Sequence, residues 1–149
     1  MSVSQEINNY PKIYHYRRIV QAKLFIDTHF AEKIDLDNIA DEALFSKFHF
    51  IRLFRSVYHK TPHQYLSAVR IEKARQLLAS EMSAANVCYA VGFESVSSFT
   101  GLFKRVTGVT PAVYQAAQHR RQSEIASAPL KFIPNCFAEK KGWKASTSV

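Results

Sequence analysis

The stretch SKFHFIRLFRSVYHKTPHQY at residues 46–65 recurs 49 residues later as SVSSFTGLFKRVTGVTPAVY at residues 95–114. The copies align without a gap, and nine of the twenty positions match when Arg55 is paired with Lys104. In each copy a serine precedes apolar residues spaced three and four apart, and a Thr-Pro pair follows. Serine is a preferred helix N-cap, and proline is favoured at the first position of a helix. The chain therefore predicts two copies of one helical unit.

The same helical spacing continues outside the repeat, and no stretch alternates as a strand would. We therefore expect an all-α fold of about seven helices, with a linker helix at residues 62–80 as the longest. The other expected helices outside the repeat run over about residues 16–30, 84–91 and 112–119, with a short one capped by Asp35 that carries Leu36, Ile39, Ala40 and Ala43.

In each half of the chain a short helix and a tight turn precede the longer capped helix of the repeat. That is the layout of a helix-turn-helix motif, whose second helix enters the major groove of DNA. The charge favours the same ligand, because the chain carries a net charge of +8. Residues 43–149 hold fifteen basic and five acidic side chains, against five and seven in residues 1–42. Such a concentration of positive charge is typical of a surface that binds a polyanion.

Length and composition exclude several other classes of protein. The 149 residues fit one domain or two small ones, and 47% hydrophobic content provides enough material for a packed core. No apolar run approaches the roughly 20 residues of a membrane helix, and the N-terminus lacks the pattern of a secretory signal. Cys88 and Cys136 are too few for a disulfide framework, so we expect idle or buried thiols. These features predict a cytoplasmic protein that does not interact with membranes, and DNA binding would make it nucleoid-associated.

The combined motifs resemble the AraC/XylS family of transcriptional regulators over about residues 17–118. The stretch RIEKARQLL at residues 70–78 is similar to the family's linker helix. The residues of the second copy that carry the resemblance are Gly92-Phe93-Glu94-Ser95, Ser97, Phe99, Phe103-Lys104, Gly108, Thr110-Pro111 and Tyr114. Those of the first copy are Ser46 through Arg52, Phe54-Arg55, Thr61-Pro62 and Tyr65. The resemblance implies two helix-turn-helix subdomains that occupy successive major-groove segments.

This organisation divides the chain into five parts. We expect an N-terminal arm at residues 1–16, a first subdomain at 17–61, the linker helix at 62–80, a second subdomain at 81–121 and a tail at 122–149. The arm is expected to pack on the domain, with insertion into the minor groove as the alternative. The apolar residues 130–134 of the tail are expected to dock on the domain.

The first recognition helix presents the stronger set of candidate DNA contacts. Arg52 is the best candidate for base readout, because a guanidinium matches guanine O6 and N7; contact with a phosphate or a surface salt bridge is the alternative. Phe48 and Ile51 lie where the family's base-contacting residues usually lie and could read thymine methyls or groove shape, although Phe48 could also be a core residue. The candidate contacts on this helix are Lys47, Phe48, Ile51, Arg52 and, to a phosphate, Arg55.

The second recognition helix presents a weaker set. Gly101 stands where the family often has a long donor, which puts strong base readout by this helix in doubt. We expect the first helix to determine sequence preference and the second to position the protein on the DNA backbone. The candidate contacts on the second helix are Ser97, Thr100, Gly101, Lys104 and Arg105. His59 is a further departure, since it stands where the second copy has Gly108.

No motif of a catalytic or cofactor site is present in the sequence. His59 and His63 are four residues apart, but the intervening Thr61-Pro62 breaks the helix and no further ligands accompany them. Cys88 occupies an apolar-face position that suits a buried thiol. We therefore expect neither a bound metal, nor a cofactor, nor enzymatic activity.

These observations predict a sequence-specific transcriptional regulator, most simply an activator, of the short stand-alone type. The resemblance to family members of this type implies a monomer that acts on double-stranded DNA, contacts RNA polymerase and carries no small-molecule effector domain. Two alternatives remain: an architectural protein that binds DNA without sequence preference, and a helical protein-interaction module.

Overall fold

The computed structural model describes residues 3–37, 40, 46–134, 137 and 140–142. None of these residues lies in a strand, which confirms the all-α fold. The α-helices found in them are α1 (Val3–His29), α2 (Lys47–Tyr58), α3 (Pro62–Leu78), α4 (Ala84–Ala90), α5 (Val96–Thr107) and α6 (Pro111–Ser127), and a 3₁₀ helix (Pro129–Phe132) follows α6. Leu36, Asp37 and Ala40 are also helical, as the expected short helix requires, whereas Ile39 and Ala43 lie outside the described residues.

The two copies of the repeat begin and end their longer helices in the same way. The hydroxyl of Ser46 accepts a hydrogen bond from the backbone N–H of His49 at 3.2 Å, and Ser95 accepts one from Ser98 at the same distance. Each helix ends at a residue in the left-handed region, Gly108 at φ +87° in α5 and His59 at φ +59° in α2. A non-glycine residue with positive φ is uncommon, so His59 keeps the backbone geometry of the repeat at a conformational cost.

The linker helix α3 divides the hydrophobic core into two clusters. Its first half packs with α1 and α2, and its second half packs with α4 and α5. The buried residues of the first cluster are Ile19, Ala22, Ile26, Leu36, Ala40, Phe50, Phe54 and Leu66. Those of the second cluster are Ile71, Ala74, Leu78, Val87, Cys88, Val91, Phe99 and Phe103. Equivalent phenylalanines of the repeat, two in each copy, therefore form the centres of the two clusters.

The first helix is longer than the sequence predicted. It begins at Val3 rather than near Tyr16 and has 27 residues, so α3 with 17 residues is not the longest helix. Residues 3–16, expected as an arm, continue α1. The apolar side chains Ile13, Tyr14 and Tyr16 of α1 are exposed, so they do not form the buried stripe from which an amphipathic helix is recognised.

The last helix also extends further than predicted, to Ser127 rather than His119. Its side chains reach the backbone oxygens that follow α3: Gln115 donates to Met82 O at 2.6 Å, and Gln122 donates to Ala79 O at 3.2 Å. His119 Nε2 lies 3.0 Å from Ser80 O. These contacts tie one face of α6 to the end of the linker helix. The 3₁₀ helix at residues 129–132 of the expected tail follows directly and contacts α6.

Candidate nucleic-acid interface

Helix α2 has one buried face and one open face. Phe50 and Phe54 lie in the first core cluster, whereas Phe48 is 75% exposed. The expectation that Phe48 could belong to the core is therefore wrong. Ile51 is half-buried and packs against the first cluster, so only part of its side chain is open to a ligand. The remaining candidate residues of α2, namely Lys47, Arg52 and Arg55, are exposed.

The cations of α2 differ in their surroundings. Lys47 Nζ lies 3.0 Å from a carboxylate oxygen of Asp37, and both side chains are more than half exposed. An exposed ion pair contributes at most about 1 kcal/mol, so Lys47 can exchange Asp37 for another anion at little cost. Arg52 and Arg55 form no ion pair with any residue that the structure describes. Their guanidinium groups are therefore available to a ligand on this face.

Helix α5 exposes two lysine or arginine side chains, one fewer than α2. Phe99 and Phe103 are fully buried, whereas Ser97, Gly101, Lys104 and Arg105 are exposed and Thr100 is half-buried. A Cβ placed on Gly101 would meet no other atom within 4 Å, so the space above this residue is open. Lys104 and Arg105 lie in the last turn of the helix.

Contacts from α1 and α3 hold α2 in place. The ring of His15 on α1 lies edge-on against the ring of His49 on α2, with 5.7 Å between their centroids. Tyr65 packs on Phe54, and its hydroxyl donates to Asp27 Oδ1 at 2.6 Å. Neither the His15–His49 nor the Tyr65–Asp27 pairing was found by sequence reasoning, because the partners are more than thirty residues apart and no local pattern marks them.

The Tyr65–Asp27 contact also changes the titration of the phenol. Asp27 is paired on its other oxygen with Lys23 Nζ at 2.6 Å. Burial is the main cause that raises the pKa of Tyr65, the hydrogen bond to Asp27 adds to it, and the value becomes about 12. The neutral phenol is therefore the form that the folded protein favours.

Other candidate chemistry is not assembled in the described part of the chain. No group of three or more residues that could bind a metal ion occurs there, and His59 and His63 gain no further ligand among those residues. The thiol of Cys88 is fully buried, as the sequence predicted, and burial raises its pKa. Cys136 lies outside the described residues. None of the helices of this region is long and apolar enough to cross a membrane.

Comparisons with known proteins agree with this geometry. A family model described as "Helix-turn-helix domain" matches residues 39–117. The MmsAB operon regulatory protein of Pseudomonas aeruginosa is 35% identical over 101 residues, which are 67% of this chain and 32% of that protein. The transposon Tn10 TetD protein of Escherichia coli is 31% identical over 103 residues, which are 68% of this chain and 75% of that protein. The chain thus spans about a third of the length of the first relative and three quarters of the second.

Solved structures show the same arrangement of helices. The DNA-binding domain of the global transcriptional factor AdpA, crystallised with a target DNA, is 31% identical. It superposes with a TM-score of 0.64, and the match covers 74% of this chain and 96% of that domain. An AraC-type regulator from Chromobacterium violaceum is 25% identical with a TM-score of 0.62, over 69% of this chain and 93% of that one.

Proposed function

The chain belongs to the AraC-type helix-turn-helix family of transcriptional regulators, and we propose that it recognises a specific DNA sequence by placing α2 and α5 in adjacent major-groove segments. The observation that carries the proposal is the repeat itself. Two capped helices at equivalent positions each bury two phenylalanines and leave the opposite face exposed. Two recognition helices on one side of B-DNA contact sites about 34 Å apart, one helical turn.

We propose that the two recognition helices divide the work unequally. Arg52 is exposed in the middle of the open face of α2, where a guanidinium can bind a guanine edge. Phe48 and the open part of Ile51 offer apolar contacts on the same face. The equivalent face of α5 has Gly101 where a long side chain could reach a base. Its cations, Lys104 and Arg105, lie in the last turn, where they suit phosphate contacts.

A pair of matched substitutions tests this division. Arg52→Ala should relax sequence preference, because a bidentate arginine–guanine contact contributes about 1–3 kcal/mol of discrimination. Lys104→Ala should weaken binding to all sequences alike and reduce the salt dependence of the affinity by about one phosphate contact. Both effects are measured by fluorescence anisotropy on a target and a scrambled duplex at several salt concentrations. An equal loss of specificity from both substitutions would contradict the division.

The experiment that tests the function itself is selection of sheared genomic DNA by the purified protein near physiological salt, followed by sequencing. We expect one well-defined half-site and a less-defined half-site about one helical turn away. Recovery of DNA without a shared sequence would instead indicate an architectural protein, and no recovery would indicate a protein-interaction module. The Arg52→Ala variant, selected in parallel, should lose the well-defined half.

The same proposal covers the oligomeric state of the regulator, its mode of action and its location. One chain carries both recognition helices, so a monomer can occupy an asymmetric site. We propose that the bound monomer activates transcription by contacting RNA polymerase and acts in the cytoplasm on the nucleoid. We assign it no catalytic role. The family includes the bifunctional transcriptional activator and DNA repair enzyme AdaA of Bacillus subtilis, which is 32% identical over 92 residues, or 44% of its length.

A further inference from the structure

The two subdomains meet at one junction, near the middle of α3. Leu66 and Val69 pack against the first core cluster, whereas Ile71 packs in the second. Phe30, which follows α1, packs against both clusters. Arg70 lies between these two sets of contacts. A single helix therefore passes from one core to the other at the position of this arginine.

The side chain of Arg70 joins three separate segments of the chain. Its Nε donates to Phe30 O at 2.7 Å and its Nη2 donates to Glu32 O at 3.0 Å. Both oxygens lie just after the end of α1, and a hydrogen bond from a charged donor is stronger than a neutral one. The guanidinium also lies 5.8 Å from the centroid of the Phe93 ring, in the second subdomain. Arg70 thus connects the end of α1, the linker helix and the turn that precedes α5.

Gly92, the neighbour of Phe93, approaches the same loop through its backbone. A Cβ placed on Gly92 would lie 2.8 Å from Phe30 O and 2.9 Å from Ala31 O. Such distances leave no room for a side chain, and the residue also has φ +94°. The turn of the second subdomain therefore contacts the loop of the first directly, beside the two hydrogen bonds of Arg70.

We propose that Arg70 is a positioning residue that fixes the two recognition helices relative to each other, so that the protein accepts one spacing between its half-sites. This inference rests on the proposed function. A shared helix alone leaves each subdomain able to tilt, whereas the contacts of Arg70 and Gly92 add a second connection away from the helix axis. The spacing matters because each inserted base pair moves a half-site by about 3.4 Å and rotates it by about 35° around the DNA.

Two substitutions distinguish the effect of the shape of the Arg70 side chain from the effect of its charge. Arg70→Met keeps a long stem and removes both hydrogen bonds. Arg70→Lys keeps the positive charge but lacks the planar fork that can bond two oxygens and stack on a ring. Arg75→Met is the matched control, because Arg75 lies on the same helix and its ion pair, with Glu72 at 3.7 Å, stays within that helix.

The readout is affinity for duplexes in which one or two base pairs are inserted or removed between the half-sites. We expect the parent protein and Arg75→Met to bind the best spacing about tenfold more tightly than the others, a difference of about 1.4 kcal/mol. Arg70→Met and Arg70→Lys should both lose most of this preference, while affinity for a duplex with only the first half-site stays unchanged. Full rescue by lysine would show that Arg70 acts as a charge, and would overturn the proposal.

A distance measurement without DNA tests the junction independently of the proposed function. The substitutions Ser56→Cys on α2 and Val106→Cys on α5 introduce exposed thiols for spin labels. Cys136 is replaced by serine, and Cys88 is buried and stays unlabelled. Pulsed electron paramagnetic resonance then measures the distance between the two recognition helices. We expect a narrow distance distribution in the parent and a broad one in both Arg70 variants. Equally narrow distributions would overturn the proposal. If no duplex is bound by any variant, the proposed function fails and the distances still decide the role of Arg70.

Discussion

At the scale of single residues, Gly92 and Gly108 are both glycines with positive φ, but only one is enclosed. A Cβ on Gly108 would meet no atom within 4 Å, whereas one on Gly92 would meet Phe30 O at 2.8 Å. Gly108→Ala should therefore cost about 1–2 kcal/mol of unfolding free energy, from the left-handed conformation alone. Gly92→Ala should cost at least about 1 kcal/mol more, because the loop after α1 must move. Urea denaturation followed by circular dichroism measures both values.

A third glycine gives the control for this comparison. Gly101 lies inside α5 with open space around its Cα, so Gly101→Ala should stabilise the protein by about 0.5–1 kcal/mol through helix propensity. Equal losses from the substitutions at Gly92 and Gly108 would contradict the close contact between the two subdomains.

At the scale of helices, the contact of α1 with α3 through Tyr65 and Asp27 predicts a dependence of stability on pH. The pKa of Tyr65 is raised from the ordinary tyrosine value of 10.0 to about 12 in the folded protein, so folding favours the protonated form. This contribution is fully present below about pH 10 and is lost as the pH rises from about 10 to about 12. The difference in stability between the parent and Tyr65→Phe should therefore shrink over that range.

The measurement is a series of urea denaturation curves at about pH 8 to 12, which spans both pKa values of the phenol. Tyr89→Phe is the control for the removal of a tyrosine hydroxyl, because Tyr89 is 58% exposed. A constant difference between the parent and Tyr65→Phe would contradict the raised pKa of Tyr65, and with it the burial and the hydrogen bond to Asp27 that cause it.

The helices also show how far the sequence could predict the structure. The 20-residue repeat, at an offset of 49 residues, predicted the N-caps Ser46 and Ser95 and the phenylalanines of both cores. These features depend on local spacing. The true start of α1 could not be predicted, since the exposed side chains of Ile13, Tyr14 and Tyr16 do not mark a buried face. The contacts of Arg70 could not be predicted either, since they join residues that are 38 and 40 positions apart and involve backbone atoms. Of the candidate contacts, Phe48 and Arg52 lie on the open face as expected, whereas Ile51 is half-buried.

At the scale of the whole molecule, the repeat gives two cores that can be weakened separately. Phe54 and Phe103 occupy equivalent positions and are both fully buried, so replacing either by alanine should cost about 3–5 kcal/mol. Because each cluster has its own set of buried residues, Phe54→Ala should lower hydrogen-exchange protection in α2 and the first half of α3 more than in α5. Phe103→Ala should have the opposite effect. Uniform loss of protection in either variant would mean that the linker helix makes the two cores one cooperative unit.

The same pair of variants connects stability with recognition. If α2 determines sequence preference and α5 mainly positions the protein, Phe103→Ala should bind more weakly but keep its preference for the target over a scrambled duplex. Phe54→Ala should lose that preference, because the first core cluster holds the open face of α2 in place. Anisotropy titrations of both variants at one salt concentration measure this difference. Retention of sequence preference by Phe54→Ala, together with its loss in Phe103→Ala, would assign base readout to the second subdomain instead.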